Sequence, residues 1–367
     1  MKSKKIIHLI TTIERGGAEK QLLILARNQV QIGLEVEIVY LKGAPELKVD
    51  FEVAGCTVND FIANKELIHQ VISFLRYIRN SPTPVHAHLP KSELITAIAC
   101  RKKSFVVTRH NSEKFWPGMP NLFSQILSKC ICARASKVIS ISNSVKNFLQ
   151  VSGELPKGCE VDVVYYGFDV DDSISSRGLV DLSARADFSL DTFKIGSIGR
   201  LVDQKDYPTL FRAFKKLLLK YPNSELYIVG DGNNKSALES LVMELAINNK
   251  VHFLGRTQYI FEFLSLIDVF ILPSKYEGFG LVLLEAMLSK KPILASNNSS
   301  IPEVLGLGFP GLFETSNIED LWNKIDLIKS DKSFNSILIE LYPNQLSKFD
   351  PNLMVRNIIR IYDKANF

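Results

Sequence analysis

Two carboxylates eight positions apart, Glu277 and Glu285, frame the stretch SKYEGFGLVLLEAM, in which a polar, glycine-rich turn runs into an apolar segment. Gly278 and Gly280 free the backbone to come close to a ligand. The run from Leu281 onward reads as a helix, so the amides of Phe279, Gly280, Leu281 and Val282 face whatever lies before it. An anion placed there gains from the unpaired N–H groups and from the helix dipole. Glu277, in the turn itself, is within reach of a sugar hydroxyl. Glu285, a little over one turn into the helix, can accept hydrogen bonds from vicinal ribose hydroxyls. The plainer alternative makes one acid a loop charge and the other part of an exposed helix side. Upstream, GRLVDQKD places Arg200 and Lys205 just past a strand that ends at Gly199. An arginine fork and a flexible ammonium suit a diphosphate, although both are also common in solvated loops. Taken together the two stretches describe a nucleotide-sugar site, with diphosphate on Arg200, Lys205 and the helix start, ribose on Glu285 and hexose on Glu277.

The elements that must position these groups follow an α/β pattern. In the first half KIIHLIT, EVEIVYLK, PVHAHL, SFVVTRH and KVISIS read as strands alternating with amphipathic helices, the signature of parallel βαβ units. The helix from Ala18 to Ile32 is closed by Gly33. Polar residues at the strand ends, His86, His88, Arg109, His110 and Ser142, favour a cleft beyond the carboxyl ends of the strands. A second series, FKIGSIGRL, SELYIVGDG, VHFLG, VFILPS and KPILAS, repeats the pattern. The expected organisation is an N-terminal acceptor-binding domain over 1–172, a linker rich in Ser and Asp over 173–191, and a donor-binding domain over 192–345. The C-terminal helix, 346–367, is expected to pack on either domain, the first included. The fold class is thus α/β, two Rossmann-like doubly wound domains facing each other across a cleft. Neither GSIGR nor GDG completes the dinucleotide fingerprint, so NAD binding lacks its best signature.

Composition narrows the function classes. A chain of 367 residues with 46% hydrophobic and 23% charged residues is that of an ordinary globular protein, not a disordered one. No uninterrupted apolar run approaches the ~18 residues of a membrane span. The N-terminal MKSKKIIHLITTIERGG lacks a signal-peptide cleavage site and reads as a first strand, so a cytoplasmic location is expected. Five scattered cysteines without a Cys-x-x-Cys pair suit a reducing compartment and read as packing residues. The net charge of +5 lies wholly in residues 1–172. Random scatter produces such an excess; so does an anionic partner, a phosphate-bearing acceptor or an anionic membrane at its inner face. Phe115, Trp116 and Phe123 in EKFWPGMPNLFSQIL suggest an amphipathic edge for such a membrane, with helix packing as the alternative. His86 and His88 alternate onto one face of a strand, and with His110 they could suggest a metal, but no spacing matches a ligand set. His86 reads as a core or cleft-wall residue, His88 as an acceptor-side contact, and His8 and His252 as structural. No metal is expected.

SKYEGFGLVLLEAMLSKKPILAS resembles the signature of the retaining nucleotide-sugar glycosyltransferases of family 4, which have the GT-B fold. IGRLVDQKD, YIVGDG and FLGR fall in that family's order, as do ERGGAEKQLLILA and YYGFD. The resemblance covers nearly the whole chain. It implies that Gly16 and Gly17 form the glycine loop near the donor phosphate and reacting sugar, and that His110 stands near the hexose on the acceptor side. It further implies that Arg200 and Lys205 bind the diphosphate, that Glu277 and Glu285 bind hexose and ribose, that Gly230 and Asp231 line the nucleotide pocket, and that Arg256 lies beside the base. The family often has Asn before the glycine of the segment where this chain has Tyr166 before Gly167. The implied reaction is hexose transfer from a UDP- or GDP-linked sugar to a glycan or lipid-linked glycan. It retains anomeric configuration, with the acceptor attacking on the face the diphosphate leaves and the departing phosphate oxygen taking the proton. No cofactor, no divalent metal and no nucleic-acid partner are expected. A catalytically silent nucleotide-sugar binder and a sugar-nucleotide epimerase of related architecture are the rivals.

Overall fold

The computed structural model describes residues 5–80, 83–101, 104–116, 118–168, 191–257, 259–365 and 367. The expected linker, 173–191, lies outside the described residues apart from Asp191. Two compact units divide the chain: residues 1–168 together with 349–367, and residues 169–348.

The first unit runs β1 (Lys5–Ile10), α1 (Gly17–Gln31), β2 (Glu35–Tyr40), α2 (Lys48–Val53), β3 (Thr57–Asn59), α3 (Leu67–Asn80), β4 (Val85–His88), α4 (Pro90–Ala99), β5 (Phe105–Arg109), α5 (Asn121–Arg134), β6 (Lys137–Ser140), α6 (Asn143–Val151) and β7 (Val161–Val163). Its seven strands pair in parallel in the order β3-β2-β1-β4-β5-β6-β7. A parallel sheet covered on both faces needs apolar residues at consecutive positions, and β1 supplies Ile6, Ile7, Leu9 and Ile10, all buried. The polar residue among them, His8, is equally buried. The C-terminal helix Pro351–Lys364 belongs to this unit. Its stripe of Met354, Val355, Ile358, Ile361 and Tyr362 sits in one core with Ile6, Leu22 and Leu25. The helix starts where it does because Pro351 fits its first turn and Asp350 accepts the amide of Asn352 at 2.7 Å.

The second unit is built on β8 (Phe193–Ile198), β9 (Ser224–Val229), β10 (Val251–Gly255), β11 (Val269–Leu272), β12 (Ile293–Ser296) and β13 (Leu312–Phe313). These are parallel in the order β10-β9-β8-β11-β12-β13. Helices such as Tyr207–Lys220, which buries Leu210, Phe211, Phe214 and Leu217, fill the crossovers. Each unit is therefore a Rossmann-like sheet whose first strand lies inside the sheet. The strand order reverses between β1 and β4 in one unit and between β8 and β11 in the other. Those two switch points leave crevices at the carboxyl ends of the strands, where open α/β sheets bind ligands.

Several expectations from the sequence need correction. Phe115 is a core residue under the guanidinium of Arg109, 4.3 Å from its ring centre, while Phe123 stands exposed on α5; the aromatic trio does not form one surface. Cys56, Cys100 and Cys132 pack inside, but Cys130 is exposed and Cys159 half-buried. Of the polar strand-end residues, Arg109, His86 and Ser142 face inward rather than into a crevice. Ser142 caps α6 by accepting the Val145 amide at 3.1 Å. Arg109 lies 3.0 Å from Glu93 and 3.6 Å from Glu154, and donates to Ser128 Oγ at 2.9 Å. Among the described residues no helix is long and apolar enough to cross a membrane.

Candidate active site

In the second unit backbone bonds lace together the strand ends that carry the candidate groups. The Gly199 amide donates to the Val229 carbonyl at 2.9 Å, Leu201 to Asp231 at 3.0 Å and Gly230 to Gly255 at 2.9 Å. Arg200, Asp231 and Arg256, all exposed, thus emerge from neighbouring turns after β8, β9 and β10. Gly230 makes this lacing feasible: its φ is +144°, and a Cβ there would fall 1.9 Å from the Gly199 carbonyl oxygen. Asp231 spends one carboxylate oxygen on the Gly232 amide at 2.8 Å, so part of its charge shapes the turn.

Across the switch point, the turn after β11 meets the loop after β8. Lys205 Nζ is 2.5 Å from Glu277 Oε1, and Ser274 Oγ donates to the same oxygen at 2.6 Å. The Glu277 amide donates to Ser299 Oγ at 2.7 Å, and Ser300 Oγ donates to the Glu277 carbonyl at 3.0 Å. Gln204 joins the loops by donating to the Tyr276 carbonyl at 2.8 Å and accepting, on its own carbonyl, the Lys275 amide at 2.8 Å. Arg200 reaches Gln204 Oε1 at 3.3 Å. The sequence assigned Lys205 to phosphate and Glu277 to sugar. The structure brings the two together, so that a buried carboxylate holds an ammonium at the edge of the crevice. Gly278 follows Glu277 in the turn. Gly280, at φ +88°, opens the helix Leu281–Leu288, where Leu281, Val282 and Glu285 are half-buried. The Phe279 side chain is core, so only its backbone is left to face a ligand.

In the first unit Gly16 precedes α1 and Gly17 is its first residue. Glu19, in the first turn, folds back and accepts a hydrogen bond from Thr12 Oγ1 at 2.5 Å. A Cβ on Gly16 would fall 2.2 Å from Glu19 Oε2, so a side chain there would displace the folded-back Glu19 carboxylate. Burial of Glu19 pushes its carboxyl above the ordinary range, against the hydrogen bond from Thr12. The sequence reading missed Glu19. Its signal was an acid three residues past Gly16, in the first turn of a helix that begins within a glycine pair.

His88 ends β4 at the switch point and His110 follows β5, but neither stands free. His88 is buried, with Nε2 3.0 Å from His8 Nδ1 and Nδ1 3.1 Å from His110 Nε2. His110 Nδ1 is 2.5 Å from the Tyr166 hydroxyl. His8 also belongs to this group, because parallel pairing sets it opposite His86 on β4. Candidate ligand atoms of His8, His86 and His88 lie within 4.8 Å of one another. Their ring nitrogens are nonetheless taken by hydrogen bonds, His86 to Tyr362 at 2.7 Å and Thr108 at 2.6 Å, and His8 to Gln29 at 2.8 Å. Burial lowers His8 to about 4 and His110 to about 3, and holds His86 and His88 well below the usual imidazole range.

Comparison with known proteins identifies the class. The family model described as Glycosyltransferase Family 4 matches residues 15–172, and that described as Glycosyl transferases group 1 matches residues 182–342. The chain belongs to the family 4 type of glycosyltransferase, with the two parallel α/β halves of the GT-B fold. It is similar to the capsular polysaccharide biosynthesis glycosyltransferase CapM of Staphylococcus aureus, at 24% identity over 92% of this chain and 91% of that one. An N,N'-diacetylbacillosaminyl-diphospho-undecaprenol alpha-1,3-N-acetylgalactosaminyltransferase of Campylobacter jejuni is 30% identical over 38% of this chain and 36% of its own. Among solved structures, Anabaena HepE in complex with UDP and glucose superposes with a TM-score of 0.81. It is 21% identical, over 98% of this chain and 99% of that one.

Proposed function

We propose that this glycosyltransferase moves a hexose-type sugar from a UDP- or GDP-linked donor to a glycan or lipid-linked glycan, with retention of anomeric configuration, during assembly of a bacterial surface polysaccharide. The observation that carries the reading is the Lys205–Glu277 pair at the β8–β11 switch point, with Arg200 on the same loop. An ammonium already fixed by a carboxylate needs little reorganisation to meet a diphosphate, and Arg200 adds a fork for its oxygens. Glu277 then has a sugar hydroxyl to accept from, and Glu285, on the following helix, the ribose. The backbone amides at Gly278, Phe279, Gly280, Leu281 and Val282 and the turns at Gly230, Asp231 and Arg256 complete the donor side. Catalysis in this scheme is mainly stabilisation of charge on the leaving diphosphate, whose oxygen takes the acceptor proton. Gly16, Gly17 and His110 of the first unit serve the reacting sugar and acceptor. In this scheme no divalent metal and no cofactor take part besides the donor substrate.

The names of CapM and of the undecaprenol-linked transferase support a surface glycan and a lipid-linked acceptor. HepE, solved with UDP and glucose, supports a uridine nucleotide. Leu122, Phe123 and Ile126, exposed on α5 beside exposed Lys129, support contact with an anionic membrane face. The test is release of nucleoside diphosphate from a panel of nucleotide sugars, with and without membrane lipid extract, followed by assignment of the product's anomeric configuration. Release with one donor, raised by extract and giving a retained anomer, is the expected result. An inverted product overturns the mechanism, donor binding without release favours the silent binder, and loss of all turnover in chelator overturns metal independence. Failure to bind anionic vesicles at low salt removes the membrane contact.

A further inference from the structure

The first unit contains an unbroken buried chain of side chains, Gln29–His8–His88–His110–Tyr166, with contacts of 2.8, 3.0, 3.1 and 2.5 Å. A neutral imidazole has one N–H and one bare nitrogen, so in such a chain each ring's tautomer dictates the next. The Gln29 oxygen faces His8 Nε2, which must therefore carry the hydrogen. His8 Nδ1 is then bare and accepts from His88 Nε2–H; His88 Nδ1 is bare and accepts from His110 Nε2–H. His110 is left with a bare Nδ1, which accepts from the Tyr166 hydroxyl. Turning the Gln29 amide over would reverse every hydrogen along the line. That amide is fully buried, and it is held from its other side. Its nitrogen donates to the Tyr362 hydroxyl at 3.4 Å, which in turn donates to His86 Nδ1 at 2.7 Å, leaving His86 Nε2–H for Thr108. Both hydrogen-bond lines thus begin at Gln29, and the orientation of its amide sets the polarity of each.

We propose that Gln29, acting through His8 and His88, is a positioning residue that holds His110 with its hydrogen on Nε2, so that Nδ1 is reserved as an acceptor for a hydroxyl. In this structure the hydroxyl is that of Tyr166; during transfer it is a hydroxyl of the sugar or acceptor that takes Tyr166's place. The site therefore selects a hydroxyl donor at this point and offers nothing to a carbonyl or a carboxylate. The depressed basicity of all four histidines keeps the rings neutral, as the chain requires. The part that concerns transfer rests on the glycosyltransferase reading; the tautomer itself does not.

The experiment uses the full-length protein with histidine labelled in 15N and long-range proton–nitrogen correlation spectra, in which a ring nitrogen with a hydrogen is distinguished from a bare one. In the unmodified protein His110 is expected to show hydrogen on Nε2, and hydrogen on Nδ1 overturns the proposal without any assay of activity. In Gln29→Leu the pattern on His8, His88 and His110 is expected to change together and kcat to fall about tenfold, with KM for the donor unchanged. Gln29→Glu, which keeps an oxygen toward His8, is expected to restore the Nε2–H form and most of kcat. Gln70→Leu controls for loss of a buried amide: Gln70 is fully buried in the same unit, on the Leu41 and Ile62 carbonyls, and should move neither tautomer nor kcat. An unchanged His110 in Gln29→Leu, or an unchanged kcat despite a changed tautomer, overturns the positioning role. A protein with the expected spectrum but no turnover on any donor fails the activity reading alone.

Discussion

The two units share a sheet design and differ in where they keep their polar chemistry. In the first, charge and protons are inside: Arg109 lies between Glu93 and Glu154, and four histidines form hydrogen-bond lines under the sheet's carboxyl edge. In the second, cations stand at the rim. Arg200 and Arg256 are exposed, and Lys205, half-buried, is tethered by a carboxylate. The difference matches the tasks. Orienting a hydroxyl needs neutral groups of fixed tautomer, which burial provides, whereas receiving a diphosphate needs accessible charge that is partly oriented beforehand.

Removing an arginine from each unit should separate these designs most strongly. Arg109→Met strands Glu93 and Glu154 in the core and is expected to cost about 3–5 kcal/mol in urea unfolding, on the scale of breaking a buried ion pair. Arg200→Met, at an exposed site, is expected to stay within about 0.5 kcal/mol. A small loss at Arg109 would break the comparison. Turnover should show the reverse: Arg200→Ala and Lys205→Ala are each expected to lower it roughly a hundredfold or more, the effect of losing one charge-stabilising donor. Near-normal rates would reject the diphosphate assignment. Gly230→Ala tests the lacing of the second unit's loops. The positive φ and the Gly199 carbonyl both oppose a Cβ, and a cost of about 1–3 kcal/mol, with weaker nucleotide binding by titration calorimetry, is the expected outcome.

Acid should act on the first unit. A histidine whose folded basicity is depressed stays neutral while the unfolded chain takes up protons. Its stability contribution is full above about pH 6.5 and is lost as pH falls toward about 4 for His8 and about 3 for His110. Each such ring contributes up to about 1.4 kcal/mol per pH unit in that window. Glu93, raised to about 7 chiefly by burial and also by Glu154, with Arg109 opposing, acts in the opposite sense between about pH 7 and 4.5. In the first unit the histidine contribution therefore remains below about pH 4.5. Trp116 lies in the first unit and Trp322 in the second, so variants retaining one tryptophan report each unit separately. The Trp116 signal is expected to change at the higher pH; a Trp322 change that precedes it would contradict the reading.

Strands with four or more consecutive buried residues were legible, because a parallel sheet covered on both sides leaves an apolar run whatever its neighbours. The strands the reading passed over, β3 (Thr57–Asn59), β7 (Val161–Val163) and β13 (Leu312–Phe313), lie at sheet edges. Two or three residues with one half-covered face show neither a run nor an alternation. The candidate donor residues were legible one loop at a time, since glycines, a helix start and paired acids are local signals.

What the sequence determined by itself was the class of fold, the order of the elements and the identity of the charged groups after each strand, because these depend on residues close together in the chain. Which groups meet was decided by the tertiary structure. Lys205 reaches Glu277 because β8 pairs with β11, although β9 and β10 intervene in the chain. His8 reaches His88 because β1 pairs with β4 in a register that faces their side chains inward. Tyr166, which looked like a departure from the family at a doubtful position, acquires a partner in His110 only when the sheet brings them together. Strand pairing is non-local and one register step reverses every side chain, so contacts of this kind have no local signature from which to be read.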